Sequence, residues 1–175
     1  MKNKTVLITG ASAGIGLHSA IGLAKLGAEV VMVGRDERRT AEAASLVKAQ
    51  TGNQAISYLI ADLSSQKEVR KLASEFKNKY KKLDVLLNNA GAIFLRRKVS
   101  VDGYEMTLAL NHLNYFLLTD LLLDMLKARP SARIVNVSSN AHYRGHINFD
   151  DLQSEKGFFN GLLTYRNSKL ANVLF

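Results

Sequence analysis

Residues 9–16 of this chain are Thr9-Gly10-Ala11-Ser12-Ala13-Gly14-Ile15-Gly16, and this stretch decides the fold. The apolar run before it, residues 5–8, predicts a buried strand, and residues 17–26 predict a helix. Glycines allow a tight turn and a close approach of the backbone to a phosphate, while the first N–H groups of a helix attract an anion. The stretch therefore predicts a site for a dinucleotide pyrophosphate, formed by Gly10, Ser12, Ala13, Gly14, Ile15 and Gly16.

The spacing of these glycines differs from the common dinucleotide turn, Gly-x-Gly-x-x-Gly. Three residues separate Gly10 from Gly14, and one separates Gly14 from Gly16. Because glycine triplets also occur in ordinary turns, a turn without a ligand stays open as the alternative. The predicted strand before the triplet and the predicted helix after it favour the nucleotide site.

The composition fits a single α/β domain. Apolar residues make up 47% of the 175 residues, with one proline and no cysteine, which argues against a disordered chain, a disulfide framework and a thiolate metal site. No apolar run approaches the roughly 20 residues of a membrane span. The first predicted strand follows Met1 so closely that we expect no signal peptide and a cytoplasmic location.

The net charge of +9 raises the alternatives of a nucleic acid or an anionic membrane as partner. However, the 24 basic residues are scattered over predicted helix surfaces, and no nucleic-acid-binding motif is present. The densest cluster, Arg96-Arg97-Lys98, predicts a solvated loop. We therefore expect no nucleic-acid partner.

Strands and helices alternate along the chain. Apolar runs predict further strands at residues 29–33, 55–60, 85–87 and 133–137, and helices are predicted at residues 36–50, 65–79 and 104–126. The second of these helices opens with a capping box, Ser65-Gln66-Lys67-Glu68. This order predicts a doubly wound parallel sheet with helices on both faces, a Rossmann fold, in one domain over residues 1–175. Polar clusters follow the strands, where such sheets bind ligands, at residues 10–16, 34–36, 62, 88–91 and 138–139.

The residues after the second predicted strand bear on the choice of cofactor. An acid at this point accepts the ribose 2′-hydroxyl of NAD, whereas an arginine suits the 2′-phosphate of NADP. Arg35 follows the strand directly, and Asp36, one residue later, also suits the N-cap of the next helix. Since arginine can grip a phosphate with two parallel hydrogen bonds, we expect NADP rather than NAD, with Arg35 at the phosphate. A solvated arginine is the alternative.

The motif Tyr165-Arg166-Asn167-Ser168-Lys169 predicts the chemistry. About half a match to Tyr-x-x-x-Lys is expected by chance, so its weight comes from its position downstream of the strand that ends at Ser139. The spacing places Tyr165 and Lys169 on one face of a helix predicted to begin at Tyr165. A free phenol has a pKa of about 10, and an adjacent ammonium favours the phenolate, which can then act as a base.

Together these segments resemble the short-chain dehydrogenase/reductase family, and within it most closely the retinol dehydrogenase group. The resemblance covers essentially the whole chain, at residues 9–16, 62–63, 88–91, 111–113, 136–142, 151–156 and 165–175. It implies an oxidoreductase that interconverts a small-molecule alcohol and a carbonyl by hydride transfer with NADP(H).

The resemblance also implies roles for single residues. Tyr165 is then the general acid/base, Lys169 favours its phenolate and holds the nicotinamide ribose, and Ser139 hydrogen-bonds the substrate oxygen. Asn111 holds a water between Lys169 and solvent. The alternatives are a Ser139 that caps a turn and an Asn111 that satisfies helix backbone.

Further roles concern the cofactor and the sheet. Asp62, beside Leu63, is expected to receive the adenine amino group, and Asn88 to tie neighbouring strands together. The cofactor ribose is expected to lie against Asn89, Ala90 and Gly91. The histidines form no metal-binding spacing, so we expect structural or exposed roles and no metal for His112, His142 and His146.

The length of the chain departs from the family pattern. Family members continue with further strands and a substrate-covering helix, whereas Phe175 lies six residues after Lys169. We therefore expect a Rossmann fold that is incomplete at the C-terminal end and lacks the substrate-pocket part, and a full-length parent able to form a homo-oligomer. A non-catalytic nucleotide-binding fragment is one alternative. A light-dependent protochlorophyllide reductase is another, although the absence of cysteine argues against it.

Overall fold

The computed structural model describes residues 1–175 and contains a five-stranded parallel sheet. The sheet order is β3-β2-β1-β4-β5. In the register of the central strands, Leu7 pairs with Val31 on one side and with Leu86 on the other. The strands are β1 (Thr5–Thr9), β2 (Glu29–Gly34), β3 (Ile56–Ile60), β4 (Val85–Asn88) and β5 (Arg133–Asn136). The predicted doubly wound parallel sheet is confirmed.

Six helices connect or follow the strands. A π-helical turn, Ala109–Leu113, joins two of them, and 3-10 turns lie at Asn140–Arg144 and Phe149–Asp151. The helices are α1 (Gly14–Lys25), α2 (Glu37–Thr51), α3 (Gln66–Lys79), α4 (Met106–Leu108), α5 (Asn114–Lys127) and α6 (Gly161–Leu174). None of them is both long enough and apolar enough to cross a membrane.

Helices cover both faces of the sheet because the central strands are apolar on both sides. Every residue of β1 is buried. Helices α1 and α2 pack on one face, in a core layer that includes Val6, Ile8, Ala20, Ala43 and Val47. Helices α3 and α5 pack on the other face, in a layer that includes Leu7, Val31, Phe76, Leu118 and Leu122.

Side-chain caps determine where two helices begin. Asp36 Oδ1 accepts a hydrogen bond of 2.8 Å from the backbone N–H of Arg39, and Ser65 Oγ accepts one of 3.5 Å from Glu68 N. Both caps were predicted from the sequence, because short polar side chains satisfy the free N–H groups of the first helical turn.

The starts of α1 and α6 were predicted wrongly. Helix α1 begins at Gly14, not at residue 17, so the last two glycines of the turn belong to its first helical turn. Helix α6 begins at Gly161, and Tyr165 therefore lies one turn inside it rather than at its start. The cap of α6 is Asn160, whose Oδ1 accepts a 3.0 Å hydrogen bond from Leu163 N.

The long helix predicted at residues 104–126 is divided in the structure. Glu105 caps its start by accepting hydrogen bonds from Thr107 N and Leu108 N, so the helix begins at Met106. The π-helical turn then adds a residue to one turn of the backbone. Such turns occur frequently at functional sites, and this one contains Asn111.

A buried carboxylate joins the sheet to the chain just after α5, at the end opposite the strand ends that carry the polar clusters. Asp84, directly before β4, is fully buried and accepts hydrogen bonds from Thr5 N (3.0 Å), Lys4 Nζ (3.1 Å) and Arg129 Nε (3.1 Å). Burial raises the pKa of Asp84, but these hydrogen bonds outweigh it and leave the pKa below its usual value. The carboxylate form therefore stabilises the fold.

Replacing Asp84 with asparagine is expected to lower the free energy of unfolding at pH 7 by about 2–3 kcal/mol, because charge-assisted hydrogen bonds are lost. Because the pKa of Asp84 is lower in the folded than in the unfolded protein, its carboxylate stabilises the fold at pH values above the unfolded-state pKa of about 3.9. This stabilisation is lost as the pH falls through the folded-state pKa. Urea unfolding at pH 7 and pH 3 measures both effects.

The matched control for this variant is Glu75→Gln. It removes only the solvent-exposed ion pair between Glu75 and Lys79 and is expected to change stability by less than about 0.5 kcal/mol. An Asp84→Asn variant whose stability loss is as small as the control's, or does not shrink in acid, contradicts this account of the carboxylate.

Candidate active site

A cleft of about 660 Å³ crosses the carboxyl ends of the strands. It lies above neighbouring strands β1 and β4, from which the chain continues to opposite sides of the sheet. This switch point is where open α/β sheets bind ligands. The structure brings most of the predicted site residues together in its walls, namely Gly10, Ser12, Ala13, Gly14, Ile15, Arg35, Asp62, Leu63, Asn89, Ala90, Gly91, Tyr165 and Lys169.

Close packing explains the absence of a side chain at two of the glycines. Gly10 has φ of +65°, and a Cβ atom there would lie 2.8 Å from Ala90 Cα. A Cβ atom on Gly16 would overlap the Gly10 carbonyl oxygen and lie 2.6 Å from Asn89 Nδ2. Gly16 therefore packs α1 against the turn and, unlike the other predicted residues of this stretch, does not line the cleft.

Thr9 and Asn89 join β1 to β4 beneath the cleft. Thr9 Oγ1 accepts hydrogen bonds from Asn89 N (2.8 Å) and Ala90 N (3.0 Å). Asn89 Nδ2 donates to Thr9 O (2.9 Å) and Gly10 O (3.2 Å). These bonds hold the glycine turn against residues 89–91. The sequence interpretation gave Thr9 no role, since a threonine that ends a strand is a weak signal.

Asn88 ties neighbouring strands together, as predicted. Its Nδ2 donates to Asn136 Oδ1 across β4 and β5 (2.9 Å) and to Thr119 Oγ1 on α5 (3.0 Å). The end of β5, which leads into the serine pair, is therefore fixed relative to the β4 end of the cleft.

Positive charge lines the cleft beyond β2. Arg35 and Arg39 both contribute to its wall. Arg38 instead pairs with Glu42 along α2, at 3.1 Å, and does not line the cleft. Asp36 also lines this region, but one of its oxygens caps α2. The two free guanidinium groups suit an anionic group at this end of the cleft.

Asp62 follows β3 and lines the same part of the cleft. Its Oδ1 accepts hydrogen bonds from Ser64 N (3.0 Å) and Ser64 Oγ (2.7 Å), which fix the orientation of the carboxylate. Its expected contact with an adenine amino group stays a prediction.

Tyr165 and Lys169 lie at the other end of the cleft, on one face of α6. Lys169 is 4% exposed, and its Nζ donates to Val137 O at 3.1 Å and lies 5.7 Å from the centroid of the Tyr165 ring. Burial lowers the pKa of Lys169, since the ammonium loses water. No carboxylate forms an ion pair with it. The predicted pairing of a phenol with a cation is thus present.

Asn111 supports this end of the cleft from behind and does not line it. Its side chain is fully buried, accepts from Ala92 N (2.9 Å), and donates to Ala92 O (3.0 Å) and Ser168 Oγ (3.0 Å). Its main-chain oxygen accepts from Asn172 Nδ2 (2.9 Å), a residue that sequence reasoning did not identify. Asn111 therefore fastens the π-helical turn to α6 and to the chain after β4. Its role in holding a water stays a prediction.

In the serine pair after β5, the serine that lines the cleft is not the one that was expected to do so. Ser138, not Ser139, lines the cleft, and the Ser138 hydroxyl donates to Lys169 O at 2.7 Å. Ser139 Oγ accepts a 3.2 Å hydrogen bond from Ala141 N and so caps the 3-10 turn, the alternative left open above. The Ser139 hydroxyl accepts this bond through its oxygen and can still donate its proton to another group. Its expected contact with the substrate stays a prediction.

His112 and His142 have structural partners and His146 is exposed, as expected. His112 Nδ1 lies 3.0 Å from Asn172 Oδ1, and His142 Nδ1 lies 2.7 Å from Ser139 O.

The residues of the cleft fit a nicotinamide dinucleotide. The turn at Gly10 and Gly16 has no room for side chains, and the start of α1 offers free N–H groups at the position where a pyrophosphate binds. Two arginines lie at one end and a buried ammonium with a single acceptor, Val137 O, lies at the other. The donors are therefore distributed along the cleft as an elongated anionic ligand requires.

Sequence comparison agrees with this geometry. The family model for short chain dehydrogenases matches residues 4–172. Human retinol dehydrogenase 11 is 45% identical, and human retinol dehydrogenase 12 is 46% identical, each over 175 residues. Both alignments cover 100% of this chain and 55% of the relative. The chain thus spans about half the length of the curated relatives that it matches.

Solved structures give the same result. A protein from Mycobacterium paratuberculosis superimposes with a TM-score of 0.84 at 38% identity, covering 99% of this chain and 60% of that protein. A short-chain dehydrogenase from Shigella flexneri, complexed with NADP, superimposes with a TM-score of 0.75 at 27% identity, covering 98% of this chain and 68% of the other. The match over nearly every residue, with the glycine turn and the tyrosine–lysine pair in one cleft, shows that this chain belongs to the short-chain dehydrogenase family.

Proposed function

We propose that this protein interconverts an alcohol and a carbonyl compound by hydride transfer, with NADP(H) as its cofactor. The observation that carries the proposal is the placement of Tyr165 and Lys169 in the same cleft as the glycine turn and Arg35. The two ends of this cleft supply the two requirements of the reaction, a dinucleotide site and a group that transfers a proton.

The chemistry of the step divides between the cofactor and the chain. When bound, the nicotinamide ring accepts a hydride from the alcohol carbon or returns it to the carbonyl carbon. Tyr165 takes the proton of the alcohol hydroxyl during oxidation and gives it back during reduction. The Lys169 ammonium favours the phenolate form and holds the nicotinamide ribose, and Ser139 donates to the substrate oxygen.

Burial strengthens the effect of Lys169 on its surroundings. The ammonium has no carboxylate partner, so its charge acts on the neighbouring phenol in a partly dry environment, where electrostatic interactions exceed those in water. The hydrogen bond to Val137 O directs one N–H into the protein and leaves the other two for ligands.

The choice of NADP rests on Arg35 and Arg39, which line the cleft after β2. The structural neighbour from Shigella flexneri was solved with NADP, which is consistent with this choice. The names of the human relatives make retinoid alcohols the substrates to assay first. We extend the proposal to this class and expect the chain to act as part of a protein of the relatives' length.

Replacing Arg35 with alanine is expected to reduce the preference for NADPH over NADH by about 10–150-fold, because a charge-assisted hydrogen bond to the 2′-phosphate contributes about 1.5–3 kcal/mol. The affinity for NADH should hardly change. Fluorescence titration of both cofactors against the wild-type protein and the variant measures this ratio directly.

The matched control is Arg38→Ala, which removes an arginine three residues further along the chain, on α2 and outside the cleft. Its cofactor preference should equal that of the wild type. If the wild-type protein binds NADPH and NADH equally, the proposed NADP dependence is wrong. If it binds NADPH but turns over no alcohol or aldehyde, a nucleotide-binding protein without reductase activity is the better description.

A further inference from the structure

Tyr115 is a buried ionisable residue that the reaction described above does not use. It lies on α5 with an exposed fraction of 0% and does not line the cleft. Its hydroxyl has no hydrogen-bond partner. Burial, together with the nearby Tyr165, raises the pKa of Tyr115 above its usual value, so the phenol stays neutral at physiological pH. A buried hydroxyl without a partner destabilises a fold, so the hydroxyl does not explain a tyrosine at this position.

The ring of Tyr115 lies against the Lys169 ammonium. Lys169 Nζ is located over this ring, 5.9 Å from its centroid, and 5.7 Å from the centroid of the Tyr165 ring. Its one hydrogen bond within the protein goes to Val137 O. Two aromatic rings and one carbonyl oxygen therefore lie around this buried charge, which also borders Gly91.

No other charge is available to hold the ammonium. The titratable groups with rings within 6 Å of Lys169 Nζ are Tyr115 from α5 and Tyr165 from α6, and residues 89–91 and 137–138 are uncharged. The other elements packed against α6 carry His112, which bonds to Asn172, and the 3-10 turn residues His142, Tyr143 and Arg144, of which His142 bonds to Ser139 O. No carboxylate forms an ion pair with Lys169. The charged residues of the cleft lie at its other end, after β2 and β3, and are Arg35, Asp36, Arg39 and Asp62.

We propose that Tyr115 is a positioning residue whose ring face holds the Lys169 ammonium beside Tyr165. The proposal rests on the function proposed above for Lys169. An aromatic face carries negative charge density and attracts a cation within about 6 Å of its centroid, more strongly where the cation is desolvated. The ring thus opposes the effect of burial, which by itself disfavours the charged form of Lys169.

Two substitutions separate the ring from the hydroxyl. Tyr115→Phe removes only the unpartnered hydroxyl and keeps the aromatic face, whereas Tyr115→Leu removes the face and leaves an apolar side chain. If the ring acts on Lys169, only the leucine variant changes the titration midpoint of this lysine. Should the leucine variant fail to fold, Tyr115→Met provides the same comparison with a more adaptable side chain.

The test is an NMR titration of Lys169 in the whole protein, labelled with ¹³C-lysine. The Cε signal reports the charge of the amine, and comparison with Lys169→Met assigns it. The titration midpoint is expected to fall by about one pH unit in Tyr115→Leu, equivalent to about 1.4 kcal/mol, and by less than about 0.3 unit in Tyr115→Phe.

The matched control is Phe76→Leu, which removes another fully buried ring, one on α3 that stacks on Tyr80 just after that helix. This variant should lose stability without moving the Lys169 midpoint. An unchanged midpoint in Tyr115→Leu, an equal shift in Tyr115→Phe, or an equal shift in Phe76→Leu each overturns the proposal.

A second measurement, the pH dependence of kcat, separates the role of Tyr115 from the proposed reductase function itself. In Tyr115→Leu, the loss of kcat for alcohol oxidation should grow as the pH rises through the lowered Lys169 midpoint, because the ammonium is lost earlier. A loss that is the same at every pH overturns the positioning role. The NMR titration needs no turnover, so a whole protein without reductase activity would refute the proposed function while the titration still tests the contact between Tyr115 and Lys169.

Discussion

Replacing Tyr165 with phenylalanine is expected to lower kcat for alcohol oxidation by about 10³-fold, in the range that a positioned acid/base contributes. The substitution keeps the ring in the cleft wall and removes the hydroxyl that we propose carries the transferred proton. NADP(H) affinity should change little, because the glycine turn and the arginines are untouched. Steady-state kinetics and a fluorescence titration of NADPH in the whole protein measure the two quantities separately.

The control for this variant is Tyr58→Phe, the same change on β3 at a tyrosine that does not line the cleft. It should retain wild-type kcat. A Tyr165→Phe protein that keeps more than about a tenth of wild-type kcat would show that another group transfers the proton, since general acid/base catalysis contributes at least about a hundredfold. Loss of NADPH binding in the same variant would point instead to a collapsed cleft.

The sheet was predictable because its signals are local. An apolar run such as residues 5–8 has one stable environment, the interior of a parallel sheet, and the short polar cap at Ser65 marks a helix start by its own chemistry. Errors arose where a boundary depends on packing. Helix α6 begins at Gly161, four residues before Tyr165, where Asn160 caps it and the glycine packs closely against Phe94 O, a contact between segments far apart in sequence.

The residues that face the cleft were predictable from the sequence, whereas those that support it from behind were not. Arg35, Tyr165 and Lys169 all line it, since each follows a strand or lies on the helix face that spacing defines. The residues that hold this arrangement in place were not found. Asn172 reaches Asn111 O, and Tyr115 lies under Lys169, through contacts that only the folded chain creates.

The division of the helix at residues 104–126 illustrates the same limit. Its leucines give a strong helical pattern, and that pattern carries no sign of the π-helical turn. The turn appears where Asn111 bonds to Ala92 and Ser168, so its cause lies in the chain after β4 and in α6. A buried asparagine side chain needs hydrogen-bond partners, and the structure supplies them in Ala92 and Ser168.

Replacing Gly16 with alanine is expected to lower the free energy of unfolding by about 3 kcal/mol, because the added methyl group overlaps backbone that has little freedom to move. The Cβ atom would meet the Gly10 carbonyl oxygen and Asn89 Nδ2, which together hold the glycine turn against residues 89–91. NADPH affinity should fall at least about tenfold, since relief of the overlap displaces the turn. Chemical unfolding and fluorescence titration measure both effects.

Gly22→Ala is the matched control for this prediction, in the same helix, α1. A Cβ atom at Gly22 would have no neighbour within 4 Å, so alanine should stabilise the protein by up to about 1 kcal/mol through its higher helix propensity. The two variants make the same chemical change and differ only in what the methyl group meets. Equal effects in both would mean that helix propensity, and not the contact between α1 and the turn, explains the glycine at position 16. Loss of stability without loss of NADPH affinity in Gly16→Ala would separate the packing of α1 from the binding site.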